Sequence, residues 1–123
     1  MNTVVWLVQI LLTLVFLLAG TMKLIRPRAD LRQRMAWVDD FTDGQIKIIG
    51  GLEILGGLGL IFPAWTGIAP SLTPIAASAL ALDMAAATLI HVRRKEYPNI
   101  GVTAVLFVLA VFVAWARFGP YSY

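Results

Sequence analysis

The chain contains no cysteine among its 123 residues, a single histidine, and only 14% charged side chains. Each shortage removes a class of chemistry. Without cysteine there is no disulfide, no thiol exchange and no thiolate metal ligand, which excludes thiol-based membrane redox catalysis. One histidine and two separated intramembrane acids provide no metal-ligand spacing, so no metal site is expected. The sequence also lacks a nucleophile with an adjacent base, a glycine-rich phosphate loop and a nucleotide fingerprint. It therefore has no self-contained catalytic constellation, and a redox role would be that of a non-catalytic or quinone-site subunit. The formal charge of +3 lies in two short clusters instead of a continuous stripe, which sets nucleic acid aside as a partner. One cluster is Arg26, Arg28, Arg32 and Arg34, diluted by Asp30, Asp39, Asp40 and Asp43; the other is Arg93, Arg94 and Lys95.

What the chain does have is apolar sequence, 59% of its residues. Such a composition would precipitate from water, and its natural solvent, and first partner, is a lipid bilayer. Runs close to the ~20 residues that cross a bilayer fall at about Val4 to Ile25, Ile46 to Phe62, Leu72 to His91 and Pro98 to Arg117. A soluble bundle would need charged outer faces, and these segments have none. The expected fold is all-α, an integral membrane four-helix bundle forming one domain over residues 1–123. No basic residue precedes the first apolar run, which is longer than a signal core, and Thr21 stands where a lipoprotein would need cysteine; an uncleaved first span is expected.

Loops one and three carry the arginines and lysines, whereas the second, PAWTGIAPS, is uncharged. The positive-inside rule then places loops one and three in the cytoplasm and both termini outside. Trp6, Trp65 and Trp115 fall near the outer interface, and Arg117 is expected to snorkel to the outer headgroups. In the first loop, DLRQRMAWVDDF sets Leu31, Met35, Val38 and Phe41 at helical spacing among charges, the pattern of a short amphipathic helix anchored on the inner surface.

Within the spans, polar and small residues recur at the steps of four and three that bring helices into contact. The first span presents Gln9, Thr13, Phe16, Gly20 and Lys23, and the second Gly50, Glu53, Gly57 and Leu60. The third presents Ala76, Ala79, Asp83, Ala86 and Ile90, and the fourth Asn99, Thr103, Leu106, Ala110, Val113 and Arg117, with Ser78 and Thr88 off the pattern. Gly20, Gly50 and Gly57 are read as helix-packing positions. Glu53 and Asp83 each lie about eight residues from the inner end of their spans, ~12 Å deep at 1.5 Å per residue. Lys23, His91 and Asn99 come from helix ends at the same face. One polar cluster is therefore expected in the inner half of the bundle: Lys23, Glu53, Asp83, His91, Asn99 and Thr103. It is the candidate ligand-binding site.

An acid inside a bilayer costs about 2.5 to 3.5 kcal/mol on insertion scales, so something must hold Glu53. Lys23 is the expected counter-ion, and the pair could serve as interhelical glue alone. Two acids beside one cation cannot both ionise cheaply, which suits a shared proton and hence a relay or a proton-coupled site. His91, beside Arg93 and Arg94, either closes the cluster or is wetted at the interface.

The segments LLAGTMKL, IGGLEILGGLGLIFP, the alanine-rich third span ending in HVRRKE, and a fourth span closing on Arg117 resemble, in order and over nearly the whole chain, the DoxX-like family of small bacterial four-helix membrane proteins. The residues that carry the resemblance are Gly20 and Lys23, Glu53 with Gly50 and Gly57, and His91 with its basic pair. It implies a bacterial cytoplasmic membrane protein, linked through the family to thiosulfate-to-quinone electron transfer and oxidative-stress complexes. Three roles follow as expectations. The first is an accessory or anchoring subunit with a soluble oxidoreductase partner, binding no resident cofactor but able to take a quinone or another lipophilic ligand. The second is a proton-coupled exporter of small molecules, and the third a structural membrane chaperone. Glycine-rich faces would also suit a homo-oligomer.

Overall fold

The computed structural model describes residues 2–26, 30–31 and 41–119. Among these residues it contains the helices α1 (Asn2–Ile25), α2 (Asp43–Thr66), α3 (Leu72–Arg93) and α4 (Tyr97–Phe118), each long and apolar enough to cross a membrane. The amphipathic helix expected over residues 30–41 falls mostly outside the described residues.

The ends of the helices explain where the sequence-based boundaries fell short. α2 begins earlier than its apolar run because Thr42 and Gln45 form a capping box: the Thr42 hydroxyl accepts from the Gln45 N–H and the Gln45 side chain accepts from the Thr42 N–H. It ends where Gly67, at φ +75°, adopts the left-handed conformation that glycine enters without steric cost. Between α3 and α4 the reversal runs through Lys95 at φ +57°, and Pro98 occupies the first turn of α4, where its missing N–H costs nothing.

The distribution of residues is inverted relative to a water-soluble bundle. Leu7, Leu14 and Leu18 of α1 are at least 60% exposed, as are Leu52 and Leu55 of α2, while Gln9, Lys23, Glu53 and Arg117 are at most 6% exposed. Leucines outside and ionisable groups inside are the arrangement that a hydrocarbon solvent favours. The interior is filled by Leu12, Phe16, Leu60, Ala77, Leu80, Met84, Ala110 and Val113, drawn from all four helices.

Sequential helices are antiparallel neighbours. α1 packs closely on α2 and α3 on α4; the α2–α3 contact is lighter, and α1 and α4 touch least of the four neighbouring pairs. Glycines set the close contacts. A Cβ on Gly20 would lie 2.5 Å from the Gly50 carbonyl oxygen, and one on Gly50 would lie 2.8 Å from the Gly20 carbonyl oxygen, so α1 and α2 cross backbone to backbone. Gly56 receives Leu80, and Gly59 receives Ala76, of α3.

The seams of α1 and α2 lie inside as the spacing predicts, and that of α4 does so from Thr103 onward. The seam expected on α3 is corrected. Its buried residues are Thr73, Pro74, Ala77, Leu80, Ala81, Met84 and His91, rotated by about one position from Ala76, Ala79, Asp83, Ala86 and Ile90. Ala79 and Ala86 are exposed and Asp83 is half-buried. Leu80 and Met84 fill the interior from this face, while Ile75, Leu82 and Leu89, as large as they are, face outward, where lipid receives them.

Candidate functional site

The crossing of Gly20 and Gly50 determines how Lys23 and Glu53 meet. Each stands three residues after its glycine, and a helical side chain leans toward its own N-terminus, over the preceding turn. On antiparallel helices the two therefore lean toward each other across the glycine contact. The Lys23 ammonium bonds directly to Glu53 Oε1, with the two side chains 6% and 3% exposed. The opposing charges offset much of the desolvation that either would suffer alone, since removing one partner of a buried pair typically costs about 3–5 kcal/mol.

Asp83, on α3, completes this group. Its carboxyl lies against that of Glu53 and within electrostatic range of Lys23. Its Oδ2 is shielded and has no hydrogen-bond partner. Glu53 and Asp83 lie ten residues from Asp43 and Arg93, the ends of their helices on the same side of the bundle. At 1.5 Å per residue this is ~15 Å along each helix, deeper than the apolar runs alone indicate because the caps lengthen the helices.

His91 is buried, at 6% exposure, so it is not the wetted interfacial residue that its arginine neighbours suggested. Its Nδ1 lies 2.9 Å from Glu96 Oε1, and the Glu96 N–H donates to the His91 carbonyl oxygen at 2.9 Å. The left-handed Lys95 turns the chain back so that Glu96 reaches this position. Because a carboxylate only accepts, the pairing assigns the ring proton to Nδ1. Arg94 Nε lies 3.3 Å from the same carboxylate oxygen. Thr103 is buried, 2.8 Å from the Thr88 hydroxyl across the α3–α4 contact, and its own hydroxyl reaches the Asn99 carbonyl at 3.1 Å. Asn99 itself is exposed at the mouth of the cluster.

These six residues line one cavity of about 410 Å³. Its walls are otherwise apolar: Val15, Phe16 and Ala19 of α1, Ile49 of α2, Met84, Ala86, Ala87 and Ile90 of α3, and Val102 and Leu106 of α4, with Phe41 near the mouth. All four helices line it, and α1 and α4, which touch least of the neighbouring pairs, both contribute apolar residues to its walls. Chemically it can hold a mainly apolar molecule with a polar head near Lys23, Glu53 and Asp83.

A second polar group occupies the opposite half of the bundle. Arg117 does not snorkel outward. It is 3% exposed and turns inward, donating from Nε to Gln9 Oε1 at 2.8 Å and from Nη1 to Asn2 Oδ1 at 2.6 Å, with its guanidinium carbon 5.5 Å from the centre of the Trp6 ring. Gln9 Nε2 in turn donates to the Leu60 carbonyl at 2.6 Å, and Thr13 to the Gly57 carbonyl at 3.0 Å. An amide in reach holds the guanidinium inside because interior hydrogen bonds replace those that headgroup water would make. Two parts of this picture were not anticipated: Glu96 as the partner of His91, and the Arg117–Gln9–Asn2 group. The second had a signal, since Gln9 and Arg117 both lie on interior seams at the same end of the bundle.

No curated protein and no solved structure matches the chain. One family model does match, over residues 7–113, which takes in Lys23, Glu53, Asp83 and the whole lining of the cavity, and of the second polar group Gln9 but not Asn2 or Arg117. Four apolar helices, an inverted interior and this match together make the chain a multi-pass membrane protein that belongs to the DoxX-like family.

Proposed function

We propose that the chain is a membrane subunit that assists or anchors an oxidoreductase by offering a quinone-sized site between its helices. The observation that carries this reading is the cavity: apolar along its walls, with Lys23, Glu53 and Asp83 gathered at one place and His91 nearby. A ring with polar substituents and an apolar tail fits such a lining, the ring near the charged groups and the tail toward the α1–α4 side. Electrons would be handled by the soluble partner, since the chain has no cysteine and a single histidine to offer a redox centre. The test is gentle extraction of the full chain from its native membrane. A soluble redox protein and a lipophilic quinone, identified by mass spectrometry, should accompany it; absence of both would overturn the proposal.

The position of Asp83 against Glu53 favours a second reading, proton-coupled transport of a small lipophilic compound. In that case a substrate should drive proton release from the purified protein, and Glu53→Gln should abolish it. The quinone-site reading requires no such release.

A further inference from the structure

The charged part of the cavity contains two carboxyls and one ammonium, and that ammonium is engaged with Glu53. Asp83 is the group left facing the cavity. Its Oδ2 is shielded, lacks a hydrogen-bond donor, and belongs to a carboxyl that lies against Glu53. A proton shared between the two carboxyls would relieve their contact; a proton directed away from Glu53 would leave two acceptors facing each other, which is the costlier arrangement. Without any proton on the pair, both oxygens of Asp83 are acceptors. In each favoured state the oxygen that Asp83 turns to the cavity has lone pairs to offer and no hydrogen. Of the other lining residues, Phe16, Met84, Ala87 and Leu106 carry no donor, while Lys23 is engaged with Glu53, His91 Nδ1 with Glu96 and the Thr103 hydroxyl with the Asn99 carbonyl.

We propose that the ligand must bring the donor: the cavity selects a lipophilic molecule whose head carries a hydroxyl directed at Asp83. The inference rests on the quinone-site reading and sharpens it, because a quinone and its hydroquinone differ at the head in this respect alone. The quinone presents carbonyl acceptors to an acceptor, whereas the hydroquinone presents hydroxyls. Asp83 acts here as a specificity-determining residue, and no electron transfer to or from this chain is involved. The alkyl tail of either form lies between Val15 and Ala19 of α1 and Val102 of α4, so the tail contributes equally to both.

The full chain in lipid nanodiscs, kept anaerobic, is equilibrated with decyl-hydroquinone or with decyl-benzoquinone, and retention above protein-free nanodiscs is measured. The hydroquinone should bind on the order of tenfold more tightly, the worth of about one hydrogen bond. Asp83→Leu, which keeps the branched shape and removes the acceptors, should erase that preference while leaving quinone binding within about twofold. Equal binding of the two forms by the unaltered protein would overturn the proposal and leave the quinone site standing, as would a preference that survives in Asp83→Leu. Failure of both forms to bind would overturn the site itself, and this inference with it. The comparison within the unaltered protein needs no variant to fold.

Discussion

The two halves of this bundle bury charge in different ways. In one half, Arg117 is bound through Nε and Nη1 to Gln9 and Asn2, and Gln9 is bound to the Leu60 backbone. In the other, Lys23 and Glu53 close on each other, but Asp83 is left beside them at a cavity wall with a shielded oxygen that no donor reaches. A buried polar group with its partners supplied by the fold holds helices together. One at a cavity wall, with only a second carboxyl against it, is better explained by something that comes to fill the space. The chain contains both cases on the same four helices, each serving as the control for the other.

The largest effect should come from breaking the ion pair on one side only. Glu53→Ala leaves Lys23 buried without its counter-ion and should destabilise the protein by about 3–5 kcal/mol, read as loss of stability in detergent unfolding curves. The double change Lys23→Met with Glu53→Met should recover most of that loss while ligand binding does not return, because paired hydrophobes of similar volume replace a buried ion pair at little cost. Stability that stays low in the double variant would mean that the pair itself organises the fold. Next in size, Arg117→Met removes charged hydrogen bonds to Gln9 and Asn2 and should cost about 1.5–3 kcal/mol. Its ligand binding should be unchanged, and a loss of binding would end the division between the two halves.

Gly20→Ala tests the crossing on which the ion pair depends. The added methyl meets the Gly50 carbonyl oxygen at 2.5 Å, so the helices must separate, at about 1–3 kcal/mol. Gly51, with open space around its Cβ position, is the matched control: Gly51→Ala should be neutral or stabilising by helix propensity. The smallest effect belongs to Thr88→Val, which deletes the 2.8 Å contact with Thr103 and should cost roughly 0.6 kcal/mol, the average for interhelical hydrogen bonds in membranes.

Much of this architecture is legible in the sequence because polar residues are scarce within the spans, so each one marks an interior face. Gln9, Lys23, Glu53, Thr103 and Arg117 lie on the seams that their spacing defines. On α3 that signal is weak. Apart from Asp83 its central residues are mostly alanines and aliphatics on every face, with Leu80 and Met84 inside but Leu82 and Leu89 outside, so aligning the seam on that one acid rotates the helix by about one position. The acid then falls at the margin of the contact and lines the cavity instead of filling the core. The fate of Arg117 was missed for another reason. Snorkelling is the default for a cation near a helix end, and only the position of Gln9, 108 residues away in sequence, makes the interior preferable. The partnership of His91 and Glu96 depends on a left-handed lysine, and a lysine gives no sign in sequence that it will adopt that conformation.

The unequal packing of the four neighbouring pairs has a mechanical meaning. α1 and α2 are locked by their glycine crossing, α3 and α4 lie closely side by side, and α2 meets α3 more lightly. Each hairpin is thus a stiff cover and the α2–α3 contact the spine of a book. Arg117 fastens the free edges at one corner by holding α4 to α1. Whatever widens the book can do so only from the unfastened corner, the one that holds Lys23, Glu53 and Asp83.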